Sequence, residues 1–177
     1  MKIISGGQTG IDRAALDVAL KSGIECGGWC PAGRLDEFGK IPDRYPLKEL
    51  EQRDKAGRSP DRPGGLETVP WENNDRFAER TLQNVKDSDG TVVIYFSELG
   101  GGSAFTVECC EQLNRPHLVM DAHTTSTEDA AEKITSFVNE HSIRVLNVAG
   151  PRQSEWPAGY DYAISVLQGF LHRATRI

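Results

Sequence analysis

The 177-residue chain has the length of a single domain, and it is acidic, with a formal net charge of −6 at pH 7. A chain of this length buries roughly 70% of its unfolded surface in one core. The acidic balance argues against nucleic acid as a partner, because that partner needs a basic face. No apolar run approaches the roughly 18 residues of a membrane span, and no secretory signal precedes the first strand pattern. We therefore expect a cytoplasmic protein that holds any anionic ligand by local contacts.

The four cysteines favour structural thiols. Cys26 and Cys30 are separated in sequence from the adjacent Cys109 and Cys110, and no histidine lies near them at a spacing typical of zinc. We therefore expect reduced side chains in the core and no metal site.

The first third of the chain predicts a strand, a helix and a second strand, followed by irregular segments. Residues 2–6 form a short apolar run, and apolar residues at helical spacing mark residues 12–22. A second short strand is expected over residues 24–29, before a long surface loop at residues 31–46. A charged stretch without periodicity predicts a loop insertion at about residues 49–72.

The remainder alternates helices and strands. The apolar, β-branched run at residues 90–96 has the composition of a central parallel strand. Helices are expected at residues 75–86, about 103–113, 128–141 and 160–171, and further strands at residues 117–120 and 144–148.

Five strands that alternate with five helices predict one Rossmann-like α/β domain over residues 1–177. We expect a doubly wound, mainly parallel open sheet with helices on both faces, because right-handed crossovers place successive helices in that way. Ligands of such sheets bind outside the carboxyl ends of the strands. The glycine-rich loops should gather at that edge.

The first candidate anion site is the strand-to-helix loop at residues 5–13. Backbone N–H groups and the positive helix end favour an anion there, although the spacing matches neither the Walker loop nor the dinucleotide fingerprint. A tight turn with no ligand is the alternative. One helix end contributes at most about 2 kcal/mol, whereas micromolar binding needs roughly 8 kcal/mol, so other groups must contribute. The candidate residues are Gly6, Gly7, Gln8, Thr9, Gly10 and Arg13.

Two further loops follow predicted strands. The loop at residues 100–108 offers glycines and hydroxyl groups before a helix, with an ordinary helix cap at Ser103 as the alternative. The loop at residues 147–154 offers Arg152, whose guanidinium could hold an oxyanion or could be a solvated turn residue. The candidates here are Gly101, Gly102, Ser103, Thr106, Gly150 and Arg152.

Other side chains could join the same crevice. Gly28 permits a close backbone approach, and Trp29 could stack on a planar ring or belong to the core. Arg80, Asp89 and Glu108 flank the central strand and could line the crevice, or form a salt bridge on a helix surface. Ser88 and Asp89 are further candidates for ligand binding. The four histidines provide no order for a hydrolytic triad.

Several ordered segments carry a family resemblance. They are residues 3–17 (IISGGQTGIDRAALD), 27–31 (GGWCP), 41–42, 44–47, 87–91 and 147–152 (NVAGPR). With these segments the chain resembles the molybdenum cofactor carrier proteins, a circularly permuted YpsA-like branch of the SLOG superfamily. The resemblance implies a cytosolic homo-oligomer, often a tetramer, that holds the phosphorylated molybdenum cofactor as cargo. It would protect the cofactor or deliver it to molybdoenzymes or cofactor-synthesis proteins, without covalent chemistry.

A more distant similarity is to the Lonely Guy phosphoribohydrolases. Arg80, Ser88, Asp89, Gly101, Gly102 and Glu108 match the order of residues in that family. Ala104 and Phe105 stand where its motif has Gly and Thr, and Leu99 stands where it has Pro. The resemblance implies the alternative of an N-glycosidic hydrolase of nucleoside monophosphates, with Arg80 and Glu108 as catalytic groups, or a sensor of a nucleotide-like ligand. The altered motif favours the carrier.

Overall fold

The computed structural model describes residues 1–51 and 76–174. Of the loop insertion predicted at about residues 49–72, the part from residue 52 onwards lies outside the described residues. In chain order the described elements are β1 (Lys2–Ile4), α1 (Ile11–Lys21), β2 (Glu25–Gly27), β3 (Trp29–Cys30), β4 (Leu35–Asp36), β5 (Gly39–Lys40), β6 (Lys48–Glu49), α2 (Arg76–Lys86), β7 (Gly90–Tyr95), α3 (Gly101–Gln112), β8 (His117–Asp121), α4 (Thr127–Glu140), β9 (Val145–Ala149) and α5 (Gly159–Ala174).

Five of these strands form one parallel sheet in the order β2-β1-β9-β7-β8. The internal strand β7, which lies between β9 and β8, is buried from Gly90 to Ile94, as expected for a strand covered on both faces. Strand β9 lies between β1 and β7, so the segments that follow these three strands leave the sheet side by side. The predicted α/β Rossmann-like fold, with five central strands and five helices among the described residues, is confirmed.

The helices pack in two layers. Helix α5 contacts both α1 and α4, and helices α2 and α3 contact each other. The main core joins α1, α4 and α5 to the sheet through side chains such as Leu16, Ile94 and Leu167. A smaller apolar cluster of Val85, Cys109 and Cys110 lies in the α2–α3 layer.

The prediction of one strand over residues 24–29 is wrong. Gly28 has a φ of +123°, and an added Cβ would overlap the backbone of Ser5, so the chain turns there. Strand β2 therefore ends at Gly27, and β3 pairs with β6 outside the main sheet. The surface loop expected at residues 31–46 contains the short antiparallel hairpin β4–β5.

The cysteines are all buried as free thiols, as expected for core side chains. Burial is the main cause that raises the pKa of Cys109, to about 12. Within residues 1–51 and 76–174, no helix is long and apolar enough to cross a membrane. The same residues contain no group of three or more His, Cys, Asp or Glu side chains that could hold a metal ion.

Candidate functional site

The three glycine loops meet at the carboxyl edge of the sheet, where β1, β9 and β7 end. They enclose a crevice of about 50 Å³ between the sheet and the α2–α3 layer. Gly6, Gly102, Thr106 and Gly150, which were predicted from three separate loops, all line this crevice together with Arg80. The other lining residues are Asp12, Thr81, Asn84, Asn147 and Ala149.

A buried ion pair forms one wall of the crevice. Nη1 of Arg80 lies 2.8 Å from Oδ2 of Asp12, and the two side chains are only 14% and 4% exposed. The guanidinium lies directly over Gly6, where an added Cβ would overlap it, so a larger residue here would displace Arg80. Nε of Arg80 is buried and lacks a hydrogen-bond partner among the described residues.

Asp12 occupies the positive end of α1. Its Oδ2 accepts a hydrogen bond from the N–H of Gln8, at 3.4 Å, as well as from Arg80. Burial raises the pKa of Asp12, and the neighbouring Arg80 guanidinium opposes that rise. An anion at the residue 5–13 loop alone would therefore compete with a resident carboxylate.

The amino end of α3 is different. As at α1, its N-cap residue is a glycine, Gly100, and no side chain caps it, but its first turn carries no acidic residue. The alternative that Ser103 is the cap is therefore wrong; Ser103 lies inside the helix and is buried. A Cβ added at Gly100, Gly101 or Gly102 would meet nothing within 4 Å. This helix end is open to an incoming anion.

A larger cavity of about 470 Å³ lies on the other side of the residue 5–13 loop. Thr9, Gly10 and Arg13 line it, so the predicted residues of this loop are divided between two cavities. Arg13 is already paired there, because its Nη2 lies 2.7 Å from Oδ2 of Asp36 and also donates to the carbonyl of Gly7. The other lining residues are Asp36, Phe38, Lys40, Pro42, Gln153, Pro157, Tyr160 and Asp161.

The β4–β5 hairpin is attached to two of the glycine loops through Glu37. The carboxylate of Glu37 accepts hydrogen bonds from Thr9 Oγ1, Ser154 Oγ and the N–H of Ser154. Oε1 of Gln8 accepts from the N–H groups of Thr9 and Glu37, at 3.0 and 3.1 Å. Gln8 and Thr9, which were predicted to contact a ligand, therefore hold the loop and the hairpin together.

Ser88 and Asp89 lie at the opposite edge of the sheet from the crevice. They precede β7, and Oδ2 of Asp89 accepts hydrogen bonds from the N–H groups of Arg144 and Val145 at the start of β9. Ser88 is buried and donates to the carbonyl of Val85. The prediction that these two residues join the crevice is wrong, because they precede the strand instead of following it.

Trp29 and Gly28 also lie outside both cavities. The indole N–H of Trp29 donates to Oδ2 of Asp87, at 2.7 Å, and its backbone exchanges two hydrogen bonds with the side chain of Asn84. Gly28 packs against the backbone of Ser5. These contacts fix β3 against α2, and they do not place the indole ring beside the crevice.

Two further candidates face away from the crevice. Arg152 forms a half-exposed ion pair with Glu155, at 2.9 Å, which matches the alternative of a solvated turn residue. Glu108 is exposed and does not line the crevice. Glu108 follows Thr106 by two residues, which corresponds to about 200° around the helix, so the two residues lie on nearly opposite sides of α3.

The sequence did not single out Asp12, Asn84 or Asn147. Asp12 stands in the first turn of a helix that follows a glycine loop, a position that suggests a buried acid near the sheet edge. Asn147 is 2% exposed in the middle of β9, whose other side chains are apolar. Asn84 carries no comparable signal, because its role depends on contact with Trp29.

A family model described as the circularly permutated YpsA SLOG family matches residues 3–61 and 67–171. The chain belongs to this family. A crystal structure of the "putative molybdenum carrier protein" from Syntrophus aciditrophicus SB is similar, with 44% sequence identity and a TM-score of 0.80. The similarity covers 96% of this chain and 94% of that one. No curated protein matches the chain.

The strand order agrees with membership of a permuted family. If the central strands are counted cyclically from β7, the spatial order β2-β1-β9-β7-β8 becomes 5-4-3-1-2. This is the flavodoxin-like order 2-1-3-4-5 read in reverse, whose ligand site lies at the switch point between strands 1 and 3. In this chain these two strands are β7 and β9. The crevice lined by Gly102 and Gly150 lies at their carboxyl ends.

Proposed function

We propose that this chain binds a phosphorylated pterin, the molybdenum cofactor, as cargo, with the phosphate held between Arg80 and the amino end of α3. The observation that carries the proposal is the convergence of three glycine loops on one crevice at the switch point. The open glycines at the start of α3 and the guanidinium of Arg80, which lines the crevice, both suit an oxyanion. The crevice has the size of one ligand group, so the pterin would extend outwards over Gly100–Gly102.

The helix end and the charged groups at the crevice favour a bound anion, but their contribution to the binding free energy is limited. A helix end contributes up to about 2 kcal/mol, and a hydrogen bond to a charged group about 1.5–3 kcal/mol. These contributions together remain below the roughly 8 kcal/mol of a micromolar complex. The phosphate would therefore position the cargo, and contacts with the rest of the molecule would supply the remaining affinity.

The position of Glu108 favours a carrier over the phosphoribohydrolase alternative. A group that stabilises ribosyl charge or directs water must reach the substrate, and Glu108 is exposed away from the crevice. Incubation with AMP separates the two functions. We expect no release of adenine, and adenine release that is lost in Glu108→Gln would contradict a pure carrier.

The cellular context rests on the family resemblance alone. A cytoplasmic location, a homo-oligomer of up to four copies, and delivery to molybdoenzymes or cofactor-synthesis proteins remain predictions.

Anaerobic binding of the molybdenum cofactor, followed as its oxidised fluorescent derivative, tests the proposal. Gly102→Asp is the informative variant, because a Cβ there meets nothing and an acidic residue suits the first turn of a helix. The variant should fold and still repel a phosphate. Gln112→Glu is its matched control, since it adds the same charge to an exposed position about 15 Å along the same helix.

We expect wild type and Gln112→Glu to retain the cofactor and Gly102→Asp to lose at least tenfold in affinity. Wild type that fails to bind under anaerobic conditions would contradict the proposed cargo. Equal binding by Gly102→Asp and wild type would contradict a phosphate site at the amino end of α3.

A further inference from the structure

An aromatic cluster lies at the same sheet edge as the crevice. Phe96 follows β7 directly, and its side chain is 43% exposed. Trp156 stacks on it with ring centroids 5.1 Å apart and planes 23° apart, and His123 meets it nearly at right angles, at 5.3 Å. Tyr162 packs against Trp156 at 5.4 Å.

Two observations place Phe96 close to the crevice. An added Cβ at Gly150, a lining residue, would lie 2.5 Å from the carbonyl oxygen of Ile94. Phe96 is two residues beyond Ile94, which corresponds to about 7 Å of extended chain. Along the chain, Phe96 also precedes Gly100, the N-cap of α3, by four residues.

The backbone around Phe96 is fixed. Ser97 adopts a left-handed φ of +67°, and its N–H donates to Oδ1 of Asp121, at 2.9 Å. The same oxygen accepts from the N–H of His123, at 2.9 Å. The turn after β7 and the turn after β8 are thus tied to one carboxylate, so the exposed ring of Phe96 is presented by a preorganised loop.

We infer that Phe96, backed by Trp156, is a stacking surface for the planar bicyclic ring of the phosphorylated ligand. The inference rests on the proposed function, and it replaces Trp29, whose indole is bonded to Asp87. A ring stacked on an aromatic side chain supplies the affinity that the phosphate contacts lack, and its specificity is broad because every such ring has a π-face. A pterin and a purine share this chemistry.

The experiment compares three probes: the oxidised phosphorylated pterin derivative, AMP and inorganic phosphate, the last measured by competition. The variants are Phe96→Ala, the conservative Phe96→Tyr, and Phe38→Ala. Phe38 is the comparison, because it is 71% exposed on the β4–β5 hairpin and lines the larger cavity, so its variant tests whether the ring binds there instead. Sedimentation reports the oligomeric state of each variant.

We expect Phe96→Ala to weaken binding of the pterin derivative about tenfold or more, with unchanged competition by inorganic phosphate. Phe96→Tyr should bind within about threefold of wild type, and Phe38→Ala should match wild type. Unchanged pterin and AMP binding by Phe96→Ala would overturn the inference, as would a change confined to the oligomeric state, which would make the cluster a protein interface.

The outcomes separate the two proposals. If wild type binds AMP through Phe96 and does not bind the pterin, the stacking surface stands and the proposed cargo fails. If Gly102→Asp binds normally and Phe96→Ala does not, the ring site stands without the phosphate site. If wild type binds neither the pterin nor AMP, both proposals are overturned.

Discussion

Arg80 and Asp12 form an ion pair that is almost fully withdrawn from water, and this burial makes each charge dependent on the other. Removing one partner leaves the second charge buried without compensation, which costs about 3–5 kcal/mol in comparable pairs. We therefore expect Arg80→Leu to lower the free energy of unfolding by about this amount in urea. Arg152→Leu is the control, because its half-exposed pair with Glu155 is expected to contribute less than about 1 kcal/mol.

The cost of Arg80→Leu should depend on pH. Burial raises the pKa of Asp12, and Arg80 opposes that rise, so its loss would raise the pKa further. An acid whose pKa is higher in the folded state lowers the free energy of unfolding at high pH. This penalty shrinks as pH falls below the folded-state pKa and is absent below the unfolded-state pKa. Unfolding at pH 5 should therefore show a smaller cost than at pH 8. If Arg80→Leu lowers the free energy of unfolding by as much or more at pH 5 than at pH 8, an ionised Asp12 is excluded as the origin of the loss.

At the scale of elements, the β4–β5 hairpin is held to the glycine loops by the carboxylate of Glu37 and by the Asp36–Arg13 ion pair. Burial acts to raise the pKa of Glu37, and hydrogen bonds from Ser154 and Thr9 outweigh it, so the pKa is lowered. An acid with a lowered pKa stabilises the fold above its unfolded-state pKa, and this contribution is lost as pH falls through the folded-state value. Acidification should therefore detach the hairpin before the sheet unfolds.

Glu37→Gln imitates this loss at neutral pH. We expect faster amide hydrogen exchange at residues 35–40 in this variant, with unchanged exchange in β7 and β9. Asp43→Asn is the comparison, because Asp43 pairs with Lys40 in the same loop and both side chains are mostly exposed. Equal exchange in the two variants would mean that the Glu37 carboxylate does not hold the hairpin.

The elements of the central fold could be predicted because their signals are local. Helical spacing marks α1 and α4, and the apolar run at residues 90–96 marks a buried parallel strand. The break at Gly28 and the β4–β5 hairpin were missed because they depend on contacts with Ser5 and with the loop at residue 154, which are distant in sequence. Periodicity carries no information about such contacts.

The candidate site was predictable only in part. Topology places every loop that follows a parallel strand at one edge, so Gly6, Gly102 and Gly150 were correctly expected together. Ser88 was expected in the crevice from a motif order and Asp89 from its place beside the central strand. Both precede that strand, and residues before a parallel strand lie at the edge opposite to the ligand site. Phe96 was missed because it ends the apolar run at residues 90–96, whose composition predicts buried core residues.

At the scale of the whole molecule, the strand order places both ends of the described chain at one edge of the sheet. Helices after parallel strands return to the amino edge of the sheet, so the end of α5 lies at the edge where β1 starts. The last described residue, Ala174, and Met1 therefore lie at the same edge of the sheet. A flexible linker could join residue 177 to residue 1 while the chain is opened between β6 and α2.

Such a permutant would begin with α2 and β7 and would have the sequential order 2-1-3-4-5 of an unpermuted flavodoxin-like sheet. The buried contacts of the five strands would be unchanged, because each strand keeps its neighbours and its direction. We expect one cooperative thermal transition within a few degrees of the natural chain, and binding of the pterin derivative with similar affinity. Chain entropy alone changes, since one loop is closed while another is opened. Loss of cooperativity would show that the connection between β6 and α2 also orders the switch-point crevice. Arg80, Thr81 and Asn84, which belong to α2, line that crevice together with residues at the sheet edge.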